Sequence, residues 1–262
     1  MKMHSTALIT GASTGIGEKL AMVFAENGHD VVLVARRKPE LEDIASRLRS
    51  AFDVKATVHA ADLAEDGAAD ALFAALEDTP VDILVNNAGV ALSGSFRRMD
   101  PAAIDNMLRV NVVALTQLTR RFVEPMIERN RGRILNVASI AAFQAVPSLA
   151  VYGATKAFVL SFSEALSVEL GYRGISVTAV CPGFTETDML HKSSASGDSG
   201  SGIPGAIVLD PDRVARDAYA ACMAGDAIKV PSIGYAMYTS GSRLLPRWLL
   251  RNVTRFAMKM GR

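Results

Sequence analysis

Two side chains one helical turn apart offer the first chemistry in this sequence: Tyr152 and Lys156, in the run Tyr152-Gly153-Ala154-Thr155-Lys156. The i, i+4 spacing puts both on one face of a helix. A phenol with a pKa of about 10 is a poor base at neutral pH, and a nearby ammonium favours its ionised form. Lowering that pKa by about 3 units takes about 4 kcal/mol, within reach of a site shielded from water. Such a pair can pass a proton to or from an oxygen, which reduction of a ketone needs besides a hydride on carbon. A tyrosine and a lysine at this spacing are also an ordinary packing pair on a helix surface.

A second run could supply the partner of that proton. Thr10-Gly11-Ala12-Ser13-Thr14-Gly15-Ile16-Gly17 lies between an apolar run and a helical one. Its glycines permit positive φ and close backbone approach, and the free amides of a helix start favour a pyrophosphate. A tight strand-to-helix connection would use the same glycines. The spacing is Gly-x-x-x-Gly-x-Gly, not the general dinucleotide pattern Gly-x-Gly-x-x-Gly. Further on, Val31-Val32-Leu33-Val34-Ala35-Arg36-Arg37 ends a strand-like run. An acid at the end of the second strand of a dinucleotide fold binds the ribose 2′-hydroxyl, and an arginine accommodates a 2′-phosphate. Ala35 stands in the acid's place, and a guanidinium pairs bidentately with phosphate. The pattern points to NADP(H), although two solvated loop charges would read the same.

These residues need elements that bring strand ends together. Short apolar runs at Ala7–Ile9, Val31–Val34, Lys55–Ala60, Val81–Val85, Arg133–Val137 and Ser176–Val180 alternate with helical stretches such as Glu18–Asn27 and Glu40–Ser50. Runs apolar throughout are what a parallel strand buried on both faces requires. The βαβα order predicts a single α/β domain: a Rossmann-type, doubly wound parallel sheet with helices on both faces. We place that domain at residues 1–232 and a C-terminal extension at 233–262. The run Ser193–Gly202 is too small and polar to pack and predicts a mobile segment.

The motifs occur in an order that resembles the classical short-chain dehydrogenase/reductase family. After the glycine turn come Asp62-Leu63, Asn86-Asn87-Ala88-Gly89, Asn111, Ser139, the Tyr152–Lys156 run thirteen residues later, and Pro182-Gly183. The resemblance is close over about residues 5–190 and looser over 205–232. It implies that Tyr152 is the general acid/base, assisted by the positive nicotinamide ring of an oxidised cofactor. It implies that Lys156 also binds the nicotinamide ribose, that Ser139 holds the substrate oxygen, and that Asn111 anchors a water relaying protons to Lys156. It implies cofactor contacts from Gly11, Ser13, Thr14, Gly15, Ile16, Gly17, Arg36, Arg37, Asp62, Leu63, Asn87, Ala88, Gly89, Tyr152, Lys156, Pro182, Gly183, Thr185 and Thr187. Thr14 departs from many NADP-preferring relatives, which carry a basic residue there. A lid at about residues 189–204 is implied, with Phe143, Val146, Pro147, Met189 and Leu190 near a mouth suited to a hydrophobic substrate, though any of these could be core. Also implied is a homodimer or homotetramer pairing helices at about Pro101–Arg129 and Tyr152–Gly171.

The expected function is thus an NADP(H)-dependent oxidoreductase acting on a small-molecule carbonyl or secondary alcohol. Epimerising or dehydrating relatives generally belong to longer chains with other glycine spacings. A non-catalytic NADP(H)-binding sensor or scaffold is the alternative, and the presence of all four catalytic residue types counts against it.

Composition narrows the partners. Cys181 and Cys222 are the only cysteines and stand in no metal-ligand spacing, which argues against a disulfide framework or a metal site. The net charge of +1 conceals seven cations and no acids after Asp226, leaving −6 for residues 1–226. That body is not the pattern of a nucleic-acid binder. At about 3.6 residues per turn, Arg243, Arg247, Arg251, Arg255 and Lys259 fall on one half of a helical projection. Leu245, Leu249, Leu250, Val253, Phe256, Ala257 and Met260 fall on the other, although Leu244, Trp248 and Met258 lie on the basic side. Such a tail fits peripheral contact with an anionic membrane, packing on its own domain or a partner subunit, or a flexible extension. With no signal-peptide-like start and no spanning run, the expected location is cytoplasmic.

Overall fold

The structure, a computed structural model, describes residues 5–183, 185, 209–232 and 235. Seven strands are formed: β1 (Thr6–Thr10), β2 (Asp30–Ala35), β3 (Ala56–Ala60), β4 (Val81–Asn86), β5 (Gly132–Val137), β6 (Ile175–Val180) and β7 (Ile228–Lys229). They build one sheet in the order β3-β2-β1-β4-β5-β6-β7, and every pairing is parallel. Side chains alternate between faces along a strand. Ala7, Ile9, Ile83 and Val85 therefore enter one core and Leu8 and Leu84 the other. Neither face of these strands meets water, so they read as unbroken apolar runs.

The first face is covered by α1 (Gly15–Glu26), α2 (Lys38–Ala51) and α7 (Pro211–Ala224), which bring Leu20, Phe24, Leu41, Leu48 and Ala218. The second is covered by α3 (Ala68–Ala75), α5 (Leu115–Glu128) and α6 (Ala150–Gly171), with Leu72, Leu118, Phe122 and Leu170. Sequence signals place the helix ends. Asp210 accepts from the amide of Asp212 ahead of Pro211 in the first turn of α7, and Gly225 closes that helix at φ 78°.

The chain winds outward from β1 to β3, then returns to β4 beside β1 and winds outward the other way. In a doubly wound sheet the strand ends beside such a switch are the usual ligand position. The boundaries expected from sequence differ from the observed ones by at most three residues, except at two places. The two-residue strand β7 is too short for a periodicity signal. The helix expected over 101–129 is α4 (Pro101–Leu108) and α5 joined by a π-helical turn, Arg109–Ala114. The expected lid at 189–204, Thr187 and the 233–262 extension other than Tyr235 lie outside the described residues. Among the described residues no helix is long and apolar enough to cross a membrane.

Candidate active site

The glycine turn is shaped by neighbours that are remote in sequence. Thr10 Oγ1 donates to the Val85 carbonyl at 3.2 Å and accepts from the amides of Asn87 and Ala88, each at 3.0 Å. Asn87 Nδ2 donates to the carbonyls of Thr10 at 2.9 Å and Gly11 at 3.2 Å. Asn87, expected as a cofactor contact, thus spends its side-chain amide bracing the loop. Gly11 takes φ +65°, and a Cβ there would lie 2.8 Å from Ala88 Cα. A Cβ on Gly17 would strike the Gly11 carbonyl and lie 2.5 Å from Asn87 Nδ2. The loop therefore stays narrow, with the start of α1 facing out of it. Thr14, at the N-cap, makes no side-chain bond to the helix amides. A bare backbone concavity over free amides suits a pyrophosphate, so these residues fit a dinucleotide.

Both arginines lie at this edge. Arg37 Nη2 donates to Ser13 Oγ at 3.2 Å and its carbonyl at 3.4 Å, and Arg37 Nη1 pairs with Glu40 at 3.3 Å. Arg36 is two-thirds exposed, with Nη1 only 3.9 Å from Asp62 Oδ2. Asp62 Oδ1 accepts from the amide of Ala64 at 3.0 Å, and Leu63 is buried. The end of β2 thus sets the Arg37 guanidinium against the glycine loop and the Arg36 guanidinium beside Asp62, both on solvent-exposed pairs.

The chemical side chains gather beyond the ends of β4 and β5. Ser139 follows β5 and is buried; its Oγ accepts from the amide of Ala141 at 3.1 Å, capping the short turn Ile140–Ala142. That capping duty does not remove it from Tyr152, whose phenol hydrogen-bonds to it. Lys156 is 5% exposed. Its Nζ donates to the Val137 carbonyl at 2.8 Å and stands 5.8 Å from the centre of the Tyr152 ring. Gly89 leaves room there, since a Cβ on it would lie 3.5 Å from Lys156 Nζ and 3.6 Å from Asn111 Oδ1. Asn111 is buried in the π-helical turn; its Oδ1 accepts from the Val90 amide at 2.8 Å and its Nδ2 donates to the Val90 carbonyl at 2.9 Å.

The electrostatics depart from the lowered phenol expected from sequence. Burial pushes the Tyr152 phenol above its ordinary value, and the hydrogen bond with Ser139 only partly opposes this. Lys156 is itself pushed down to about 8, by burial first, with Cys181 acting the other way. Loss of water outweighs the attraction of a lysine that is turned to a backbone carbonyl. By the chain's own groups the tyrosine is a protonated phenol, a donor.

Pro182 and Gly183 close this end of the site. The Pro182 carbonyl accepts from the Ile140 amide at 3.0 Å, and a Cβ on Gly183 would collide with the Tyr235 ring. Thr185 is buried, with its hydroxyl donating to the Gly183 carbonyl at 3.1 Å. Phe143, expected at the mouth, packs partly against the buried cluster of Leu115, Val159 and Leu160.

The family model for short chain dehydrogenases matches residues 5–197. The chain belongs to the short-chain dehydrogenase family. Nodulation protein G of Rhizobium sp. (strain N33) is 39% identical over 188 residues, covering 71% of this chain and 75% of that protein. The very-long-chain 3-oxoacyl-CoA reductase of Anas platyrhynchos is 35% identical over 197 residues, 73% of this chain, and the match spans only 63% of the reductase. Among solved structures, a short-chain dehydrogenase from Sphingobium yanoikuyae in complex with NADPH superposes with a TM-score of 0.82. It is 34% identical, with 98% of this chain and 95% of that one covered. The bulky-bulky ketone specific alcohol dehydrogenase from Comamonas testosteroni gives 0.78 at 33% identity, covering 98% and 94%.

This short-chain dehydrogenase is an oxidoreductase of a family that binds a nicotinamide cofactor. Its structure brings Asn111, Ser139, Tyr152 and Lys156 together from the π turn, the end of β5 and the first turns of α6. Sequence reasoning assigned no role to the Thr10 hydroxyl or the Val137 carbonyl. Thr10 sits in the quoted glycine run, but its partners are known only once β4 lies beside β1. A backbone carbonyl leaves no sequence signal.

Proposed function

We propose that the protein is an NADP(H)-dependent reductase or dehydrogenase of a carbonyl or secondary alcohol on a hydrophobic substrate, with Tyr152 as general acid/base. The observation that carries this reading is the Tyr152 phenol, hydrogen-bonded to Ser139 beside buried Lys156 at the sheet edge that bears the glycine cradle. When bound, the cofactor supplies or accepts the hydride. The amides at the start of α1 and the loop of Gly11–Gly17 hold its pyrophosphate. Gly89, Pro182, Gly183 and Thr185 border its nicotinamide end, with Thr187 beyond the described residues. Ser139 Oγ holds the substrate oxygen beside the Tyr152 hydroxyl, as an oxyanion donor would. Tyr152 then gives its proton to that oxygen, or takes one in the other direction. The Tyr152 phenolate then regains a proton from the Lys156 ammonium, and Lys156 in turn takes one from solvent through water held at Asn111. Relatives named for very-long-chain 3-oxoacyl-CoA and for bulky ketones support an apolar substrate body. A homodimer or homotetramer is supported by Leu108, Val113 and Phe158, exposed on α4, the π turn and α6.

The test is oxidation of NADPH, followed by absorbance, with a panel of alkyl and aryl ketones and 3-oxoacyl thioesters. Turnover of none would defeat the reading. Cofactor choice is tested apart. Arg36→Ala with Arg37→Ala is expected to weaken NADPH by about ten- to a hundredfold, the loss of a charge-assisted pair of about 1.5–3 kcal/mol. NADH affinity should hardly change. Equal losses for both cofactors would make the arginines structural.

Lys156 gives a pH dependence. Folding lowers its pKa from about 10.4 in an unfolded chain to about 8. Its ammonium is therefore present below that value and lost as pH rises through it. The unfolded chain binds more protons across that window, so this group makes stability rise with pH there. The affinity for NADPH should move oppositely, holding at about pH 7 and weakening by about pH 9 as the charge on Lys156 is lost. A dissociation constant flat over that range, by fluorescence titration, would show that the ammonium is not used for binding.

A further inference from the structure

The proton-transfer groups stand on two separate elements. Tyr152 and Lys156 share the start of α6, whereas Asn111 lies in the π-helical turn between α4 and α5. Nothing in the covalent chain near them fixes one against the other. A direct side-chain link between the two is made by Thr155, which is 1% exposed. Its Oγ1 accepts from Asn111 Nδ2 at 3.0 Å and donates to the Tyr152 carbonyl at 2.7 Å.

We propose that Thr155 is a positioning residue of the proton-transfer set, its hydroxyl locking the Asn111 turn to the backbone of Tyr152. The proposal rests on the functional reading above. A threonine bonding a carbonyl in the preceding turn of its own helix is common and purely local. Thr155 differs because the same oxygen also accepts from a residue 44 positions away. Only a hydroxyl can give and receive at one atom, so neither valine nor alanine can replace both bonds.

The two bonds complete a buried strap. Asn111 holds the Val90 amide and carbonyl with its Oδ1 and Nδ2, and directs its remaining Nδ2 hydrogen to Thr155. Thr155 passes the connection to the residue that carries the phenol. A Cβ on Gly89, next to Val90, would lie 3.5 Å from Lys156 Nζ and 3.6 Å from Asn111 Oδ1, so the backbone there runs close beside both. One end of the strap thus sets the backbone beside Lys156 and the other sets the first turn of α6. The π turn fits the same account. Widening a helix by one residue per turn costs backbone geometry and is found mostly at functional sites, and here it carries the side chain that Thr155 receives. Loss of the hydroxyl leaves an Asn111 N–H buried without an acceptor, and relief requires the turn and α6 to shift apart.

The experiment compares Thr155→Val and Thr155→Ser with wild type, using the panel ketone that the wild type reduces fastest. Thr155→Val should lower kcat by at least about tenfold, because small misplacements of reacting groups are costly, with KM for NADPH within about twofold. Thr155→Ser, which keeps the hydroxyl, should restore kcat to within about threefold of wild type. A Thr155→Val enzyme with wild-type kcat would overturn the proposal. So would a Thr155→Ser enzyme as slow as Thr155→Val, or losses of kcat, NADPH affinity and melting temperature in parallel, which mark a packing role. Substantial turnover by Tyr152→Phe, or no turnover of any ketone by wild type, would instead remove the functional reading on which the proposal stands.

Discussion

Tyr152→Phe is expected to lower kcat by about a hundred- to ten-thousandfold, the usual worth of a positioned acid or base, with NADPH affinity within about twofold. The substitution deletes one oxygen and leaves the ring. The ring packs beside Lys156 in either case, while the hydroxyl is the atom that hydrogen-bonds to Ser139. Burial keeps that hydroxyl protonated over the ordinary pH range, so in the reductive direction wild type holds its proton ready and the variant has none. Steady-state kinetics on the best ketone, with fluorescence titration of NADPH, reads both quantities. A variant keeping more than a few per cent of kcat would take Tyr152 out of the proton path. One that instead lost NADPH affinity would give the hydroxyl a binding role.

Gly17→Ala should be the most damaging change in the cofactor cradle. The added methyl would meet the Gly11 carbonyl and Asn87 Nδ2. Neither can retreat cheaply: the first is backbone, and the second is tied to two carbonyls. Either α1 shifts from the loop or the loop opens, and in both cases the amides leave the phosphates. Overpacking of this kind costs about 1–3 kcal/mol of stability, and NADPH affinity should fall by about a hundredfold or more, since misaligned amides lose several charge-assisted bonds together. Gly171→Ala is the control, because a Cβ there meets nothing within 4 Å. Denaturant melts and calorimetric titration of both variants measure the two losses. A Gly17→Ala protein that binds NADPH like wild type would show that the loop is not the phosphate site.

The fold was legible because its strands are buried on both faces. Val31–Val34 and Val81–Val85 carry no polar residue except Asp82, which sits at the strand entrance and takes the Thr6 amide and Arg131. The glycine spacing and the Tyr152–Lys156 pair were legible for a similar reason, since each lies within a few residues of chain. What escaped was whatever depends on contacts across the sequence. The π turn at Arg109–Ala114 has no composition signal, and the bonds of its Asn111 to Val90 join residues 21 apart. The bracing of the glycine turn by the Asn87 side-chain amide is a contact between strands that its motif does not show. The i, i+4 spacing shows a lysine near Tyr152 but not that its ammonium turns to the Val137 carbonyl, nor how much water the phenol loses.

The Thr10–Asn87–Ala88 brace also bears on how the protein is made. The glycine turn and α1 are complete by Glu26, yet the residues that hold the turn in shape belong to the end of β4. A chain emerging from the ribosome therefore has the glycine turn long before it has the residues that hold that turn in shape. The gap is closed only when β4 docks beside β1, a long-range and hence slow kind of pairing. Binding of a nicotinamide cofactor at the turn would therefore wait on the closing of the sheet's centre and would stabilise only chains that have reached that stage.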